Sequence, residues 1–176
     1  MHRFLSGLAT VALSTLLFSA YAQAEELKID DLVRSKQGDA KEAATEAAAR
    51  HFYEFWDTGD PKHLDMAIGP SFTDHTLPDG RPQGPAGPAF ASRNFREAVP
   101  DLRVEIKKLV LSGSYATVHM VFTGHYSGEF GGSKGSGQKI EFIATDLIKV
   151  DGGKITDNWH IEDNLTLFKQ LGLVKK

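Results

Sequence analysis

The chain has 176 residues, 41% of them hydrophobic and 24% charged, with no cysteine and a formal net charge of −3. That length fits one domain with a tail, can bury a real core, and is too short for two ordinary domains. The missing cysteines exclude disulfides, thiolate metal sites and cysteine nucleophiles, and the slightly acidic balance argues against a nucleic-acid binder.

Met1 to Ala24 opens with one cation, Arg3, followed by an apolar run from about Phe4 to Ala20 that no acid interrupts. Ala22-Gln23-Ala24 then offers small residues at a cleavage site. This is the three-part pattern of a secretory signal peptide, and it predicts a periplasmic or secreted protein with no membrane segment once the leader is removed. A retained anchor is the rival reading. Ser6, Gly7, Thr10, Ser14 and Thr15 dilute the apolar run and favour cleavage.

Residues 25–40 read as a polar linker, and the domain proper spans 41–176. Lys41 to Trp56 is rich in strong helix formers, with Ala44, Ala48, Phe52, Phe55 and Trp56 on one side. Asp57-Thr58-Gly59-Asp60-Pro61 ends that helix, and Pro61 to Ala67 suggests a second, short one. Ser71 to Thr76 is a short extended piece. Leu77 to Pro85 is dense in proline and glycine and must be loop. Pro88 to Val99 looks helical, with Pro100 as its stop.

From Leu102 the period becomes that of strands. Leu102 to Leu111 is one strand, with a bulge expected near Lys107-Lys108. After the turn at Ser112-Gly113-Ser114, Ala116, Val118, Met120, Phe122, Gly124 and Tyr126 form the more apolar face of the next. A glycine-rich tip, Ser127 to Gln138, precedes a strand over Lys139 to Val150, with Ile140, Phe142, Ala144, Asp146 and Ile148 on one face. The last strand is Lys154 to Glu162, with Ile155, Asp157, Trp159 and Ile161 expected to face inward. A helix over about Asn164 to Leu171 closes the chain. Helices first, then an antiparallel meander, then one helix is an α+β pattern, with helices packed on one face of a sheet.

Four positions could carry proton chemistry. Asp163 continues the series Trp159, Ile161 at the end of the last strand, where an apolar surround would raise its pKa toward that of a useful base. It also precedes a helix, where aspartate is a preferred N-cap, and both readings stay open. Asp146 interrupts an apolar face mid-strand. Such a carboxylate must either be paired with a tyrosine, tryptophan or backbone group or face a wet pocket. His75 could exchange a proton near neutrality or be a structural residue of a short strand. Tyr126 points inward by alternation and could donate to a substrate oxygen, with an ordinary half-buried strand residue as the alternative. His125 points outward unless a bulge reverses the pair. Met120, Phe122, Phe142 and Trp159 are the expected apolar contacts of a ligand. The stretch 131–139 matches no GxxxxGK[ST] phosphate loop, and the histidines show no HExxH or comparable spacing, so no metal is expected.

An ordered set of short pieces resembles the SnoaL-like polyketide cyclase group of the nuclear-transport-factor-2-like superfamily. They are Phe72-Thr73-Asp74-His75-Thr76, Ala98-Val99-Pro100-Asp101-Leu102, Gly124-His125-Tyr126-Ser127-Gly128, Asp146-Leu147-Ile148-Lys149, Gly153-Lys154-Ile155, Trp159-His160-Ile161-Glu162-Asp163 and Gln170-Leu171-Gly172. The resemblance implies a cone-shaped α+β barrel, its helices against a strongly curved antiparallel sheet, enclosing one pocket. It implies cofactor-independent ring closure by an aldol step, with Asp163 as general acid/base. The leading hypothesis adds His75 and Tyr126 to orient or polarise the carbonyl oxygen and Asp146 to support the site. Where this chain reads Gly124-His125-Tyr126-Ser127-Gly128 the family often reads G-T-H-T-G, so a phenol replaces the imidazole. The substrate class expected is a small apolar carbonyl compound. A homodimer through outward residues such as Val121, Ile143 and Leu147 is also expected. A binding protein without turnover, or a dimeric scaffold with a filled cavity, remain the alternatives.

Overall fold

The computed structural model describes residues 27–174. The expected leader, 1–24, lies outside the described residues. The first described segment is not a tether. Leu27 is buried, Ile29 bridges to Ile106, and strand β1 (Leu32–Arg34) pairs in parallel with β3 (Arg103–Ser112). The polarity of residues 25–40 suits an edge strand, which is buried along one side only.

Helix α1 (Ala40–Thr58) begins where Asp39 accepts hydrogen bonds from the backbone N–H groups of Lys41 and Glu42, at 2.8 and 3.1 Å. It ends at Gly59, whose left-handed φ of 76° terminates the helix. Its inner face buries Ala48, Ala49, Phe52, Tyr53 and Phe55. Burial of a large side chain such as Phe52 stabilises the fold by roughly 1.5–3 kcal/mol. Asp57, near the C-terminal end, accepts from Arg103 Nε at 2.9 Å and from the Val104 N–H at 2.7 Å, pinning the start of β3 under α1. Asp60 caps the short helix α2 (Pro61–Ala67), which leads directly into β2 (Ile68–Asp74). The loop 75–85 carries the chain to α3 (Ala86–Ala98).

The sheet order is β1-β3-β4-β7-β8-β2, with β4 (Tyr115–Tyr126), β7 (Gln138–Asp151) and β8 (Lys154–Glu162). Its centre, β3-β4-β7-β8, is antiparallel, and both edge strands pair in parallel. Helix α4 (Asn164–Gln170) closes one end. The small ribbon β5 (Glu129–Phe130) and β6 (Ser133–Lys134) forms the tip between β4 and β7. That tip lies so close to α3 that a Cβ at Gly128 would sit 1.9 Å from the Glu97 carbonyl oxygen. No side chain fits there, so close approach fixes glycine at 128, whereas Gly131, Gly132 and Gly137 of the same tip take left-handed φ.

Two bulges shape the sheet. One falls at Lys107, between the pairs Ile106–Met120 and Lys108–His119. The other falls at Thr156, because Asp157 pairs with Lys149 while Ile155 pairs with Val150. A bulge bends its strand and shifts the alternation of the residues beyond it. Ile155 therefore points inward, but from there on the inward residues are Asn158, His160 and Glu162. Ile161, expected inside, is 75% exposed. This corrects the inward series Asp157, Trp159, Ile161 and Asp163.

Candidate active site

The helices stand off the concave face of the sheet and leave a cavity of about 500 Å³, within the size range of small-molecule sites. Phe52 and Trp56 of α1, Phe90 and Phe95 of α3, and Leu167 and Phe168 of α4 wall it on the helical side, and Phe72 of the edge strand β2 borders it as well. The sheet contributes Met120, Phe122, Phe142 and Ala144. Phe122 and Phe142 stack at 5.1 Å with rings 9° from parallel, and Trp56 and Phe95 meet them edge-on. Pro78 to Arg81, in the loop after β2, form the rim. Gln83 holds that loop to the strand: its amide accepts from the Asp74 N–H and donates to the Asp74 carbonyl, both at 2.8 Å.

Polar groups gather along one side of this apolar chamber: Tyr53, Asp74, Asp146, Asn158, His160 and Glu162. Asp146 and His160 are directly opposed across β7 and β8. The Tyr53 hydroxyl, fully buried on α1, donates to Asp146 Oδ2 at 2.9 Å. Burial pushes the Asp146 carboxyl up to about 7, although the charge of His160 and the Tyr53 hydrogen bond pull the other way. Burial also raises the Tyr53 phenol well above its ordinary value, and the Asp146 charge adds to this. Tyr53 therefore stays a hydrogen-bond donor.

His160 lies between two carboxylates. Its Nδ1 donates to Glu162 at 2.7 Å, and its Nε2 is 3.1 Å from each oxygen of Asp74. Burial opposes the charge on the ring. The Glu162 hydrogen bond and the Glu162 and Asp74 charges outweigh that, and raise His160 to about 9. The same pairing holds Glu162 below its ordinary value in spite of its own desolvation. Arg81 Nη1 adds a weaker contact to Asp74, at 3.6 Å. Near neutrality the network is an imidazolium held by two carboxylates, beside an Asp146 poised between its two protonation states. Next to it, the buried Asn158 Oδ1 has no hydrogen-bond partner among the described residues and borders a chamber it could share with a ligand hydroxyl.

Of the residues singled out from sequence, Asp146, Phe122, Met120 and Phe142 line the cavity. Five others do not. Asp163 is the N-cap of α4: Oδ1 accepts from the Thr166 N–H at 3.0 Å, and the Thr166 hydroxyl together with that N–H holds its carboxyl below the ordinary range. His75 lies on the exposed side, bonded to Asp157 at 2.8 Å and stacked on Trp159 with centroids 4.4 Å apart. Trp159 is thus spent on the outer surface, for the reason that displaced Asp163: the Thr156 bulge. Tyr126 does point inward and is fully buried, but its hydroxyl donates to the Ser133 carbonyl and braces the hairpin tip. His125 is exposed and bonded through Nδ1 to Asp101 at 2.7 Å. Asp163→Asn, which preserves the cap, is expected to change neither turnover nor melting temperature. Asp163→Ala should lower the melting temperature and leave turnover intact, as read by thermal denaturation beside an activity assay.

Tyr53, Asp74, His160 and Glu162 escaped the sequence reading. Alternation from Phe72 marks Asp74, not His75, as the inward residue of β2. The other three become visible only once α1 is laid on the sheet and the bulge is placed.

A small α+β cone with acid/base groups at the side of one apolar chamber defines the nuclear-transport-factor-2-like class of fold. Within it, the family profile described as SnoaL-like polyketide cyclase matches residues 46–171, and the chain belongs to that family. A candidate polyketide cyclase from Bacillus cereus ATCC 10987 shares 41% identity, with a TM-score of 0.77 over 87% of this chain and 97% of that one. TsrD from Streptomyces laurentii shares 28% identity, with a TM-score of 0.67 over 75% and 97% of the two chains. IdmH, a candidate polyketide cyclase from Streptomyces antibioticus, shares 26%, with a TM-score of 0.65 over 73% and 98%. No functionally curated protein matches the chain significantly.

Proposed function

We propose that this protein is an exported, cofactor-independent cyclase or isomerase that moves a proton on the carbon beside a carbonyl of a flat, largely apolar molecule. The observation that carries this reading is Asp146: a buried carboxyl of pKa about 7, oriented by Tyr53, beside a chamber walled by aromatic rings. A general base works best when its pKa is close to the working pH.

Tyr53 occupies Oδ2, so Oδ1 is the oxygen available to a substrate C–H. Asp146 takes that proton, and the C–H electron pair moves into the carbonyl to give an enolate. The nearby His160 imidazolium, held in place before the substrate arrives, favours the developing negative charge without reorganising. In a cyclisation the enolate carbon attacks a second carbonyl of the same molecule, and the protonated Asp146 returns its proton to the resulting alkoxide. The stacked Phe122 and Phe142 and the edge-on Trp56 and Phe95 suit a planar conjugated substrate and would hold it folded for closure. The family supports a polyketide-like ester or ketone as the substrate type.

Export is supported by the leader pattern of residues 1–24. A homodimer is supported by Ile143, Leu147 and Ile161, apolar residues exposed on the outer sheet face. The test begins with protein expressed with its own leader, expected in the periplasmic fraction as a dimer beginning near Glu25. Incubated with a panel of 1,3-dicarbonyl esters, it should exchange the acidic C–H for deuterium or close a ring. The rate should rise with pH through about 7, as the Asp146 carboxylate forms, and fall above about 9, as His160 loses its proton. A bound compound recovered unchanged, with no exchange at any pH, would establish a binding protein instead.

A further inference from the structure

Outside the cavity, His51 and Glu54 lie one turn apart on α1, and His63 reaches them from the first turn of α2. His51 Nδ1 is 3.0 Å from Glu54 Oε2, and His63 Nδ1 is 2.9 Å from the same oxygen. The two Nδ1 atoms are 3.5 Å apart. All three side chains are partly exposed, at 29%, 23% and 28%.

A tetrahedral ion with bonds of about 2.0–2.1 Å to nitrogen and oxygen needs ligand atoms roughly 3.3 Å apart. The three edges of this triangle bracket that spacing. The atoms that could act as ligands are already gathered, because α1 and α2 are joined by a tight turn through Gly59 and Asp60. If both imidazoles carry their proton on Nε2, two ring nitrogens and a carboxylate oxygen offer lone pairs within 3.5 Å of one another, and that tautomer is the one an ion needs. Partial exposure leaves the fourth position to water.

We propose that His51, Glu54 and His63 form a binding site for a divalent transition ion of the Zn²⁺ type. Two imidazoles and one carboxylate suit Zn²⁺ better than Ca²⁺ or Mg²⁺, which favour all-oxygen shells. The site joins α1 to α2 on the outer side of the cavity wall. Because His51 and Glu54 flank Phe52 and Tyr53 in sequence, a bound ion stiffens the turn of α1 that orients Asp146. The proposal does not depend on the chemistry assigned to the cavity.

The test uses the whole mature protein, stripped with chelator, desalted and titrated with ZnCl₂ by calorimetry. One ion per chain is expected, with affinity in the micromolar range or tighter. Zinc at 100 times its dissociation constant should raise the melting temperature by about 5–10 °C. H63A removes one ligand from a half-exposed position and should fold normally by circular dichroism. It should weaken binding by at least about 100-fold, the upper end of what outer-shell partners alone contribute. E54Q should weaken it as well. Absence of zinc uptake by the native protein, or uptake that survives H63A and E54Q, would overturn the proposal.

Discussion

Asp146→Asn is expected to reduce turnover by about 10²–10⁴-fold, the usual contribution of a positioned general acid or base, while making the protein more stable. The two effects have one origin. The folded-state pKa of Asp146 is about 7, above its ordinary value of 3.8. Its protonated form is therefore the one the fold favours, and the cost of keeping it charged grows as pH rises from about 4 to about 7. Above pH 7 that cost is fully present and amounts to as much as about 4 kcal/mol. Asparagine has the same shape, still accepts from Tyr53 and never ionises. The stability gain should be present at pH 8 and vanish near pH 4, as read by chemical denaturation at both values. A variant that gained nothing at pH 8, or that retained its turnover, would remove Asp146 from the centre of the chemistry. A catalytic group that weakens its own fold is a familiar trade between function and stability.

His160→Gln is expected to act in the opposite direction on stability. It leaves the buried Asp74, and the partly exposed Glu162, without the cation that both of them contact. Breaking a buried pair from one side costs about 3–5 kcal/mol. In the native protein the raised pKa of His160, about 9, means that its stabilisation is fully present below its unfolded value of about 6.5 and is lost as pH rises through 9. The deficit of the variant should therefore be largest near pH 6 and shrink toward pH 10. A second signature separates this from simple damage. The His160 charge lowers the Asp146 pKa, whereas Glu162 and Asp74 raise it. Removing the imidazolium should move the acid limb of the pH–rate profile upward from about 7. The double variant His160→Gln/Glu162→Gln should recover part of the lost stability, because it removes one of the stranded charges.

Several of these features were legible before folding was considered. The alanine-rich helix with its Gly59 stop, the strands β4 and β7 with their alternation, and the loop dense in proline and glycine all follow from local period and turn chemistry. Asp146 was conspicuous as a carboxylate on an apolar face, and tyrosine was among the partners that such a position demands. For Asp163 the sequence leaves both a cap and a base open. Its hydrogen bond from Thr166 and its place outside the cavity assign it to the cap.

What escaped the sequence has a physical cause in each case. The edge strand β1 has only three residues and is half-solvated, so it lacks a strand's apolar period, and of β2 only the part from Ser71 onward is legible as extended. A single extra residue at Thr156 reverses every later position in β8, moving His160 and Glu162 inward and Trp159 outward. Alternation cannot reveal where a bulge falls, because the bulge is fixed by pairing with β7. The site itself depends on contacts between distant residues. Tyr53 meets Asp146 across 93 positions of sequence, and Asp74 meets His160 across 86.

The sequence by itself determined the α+β class, the inward faces of β4 and β7, the family and one buried carboxylate. These rest on local periodicity and on an ordered set of short motifs. The tertiary structure decided which acid faces the chamber, which histidine is charged and how far each pKa moves. Those properties depend on desolvation and on the charges brought beside a group, and both arise only when separate elements of the chain pack together.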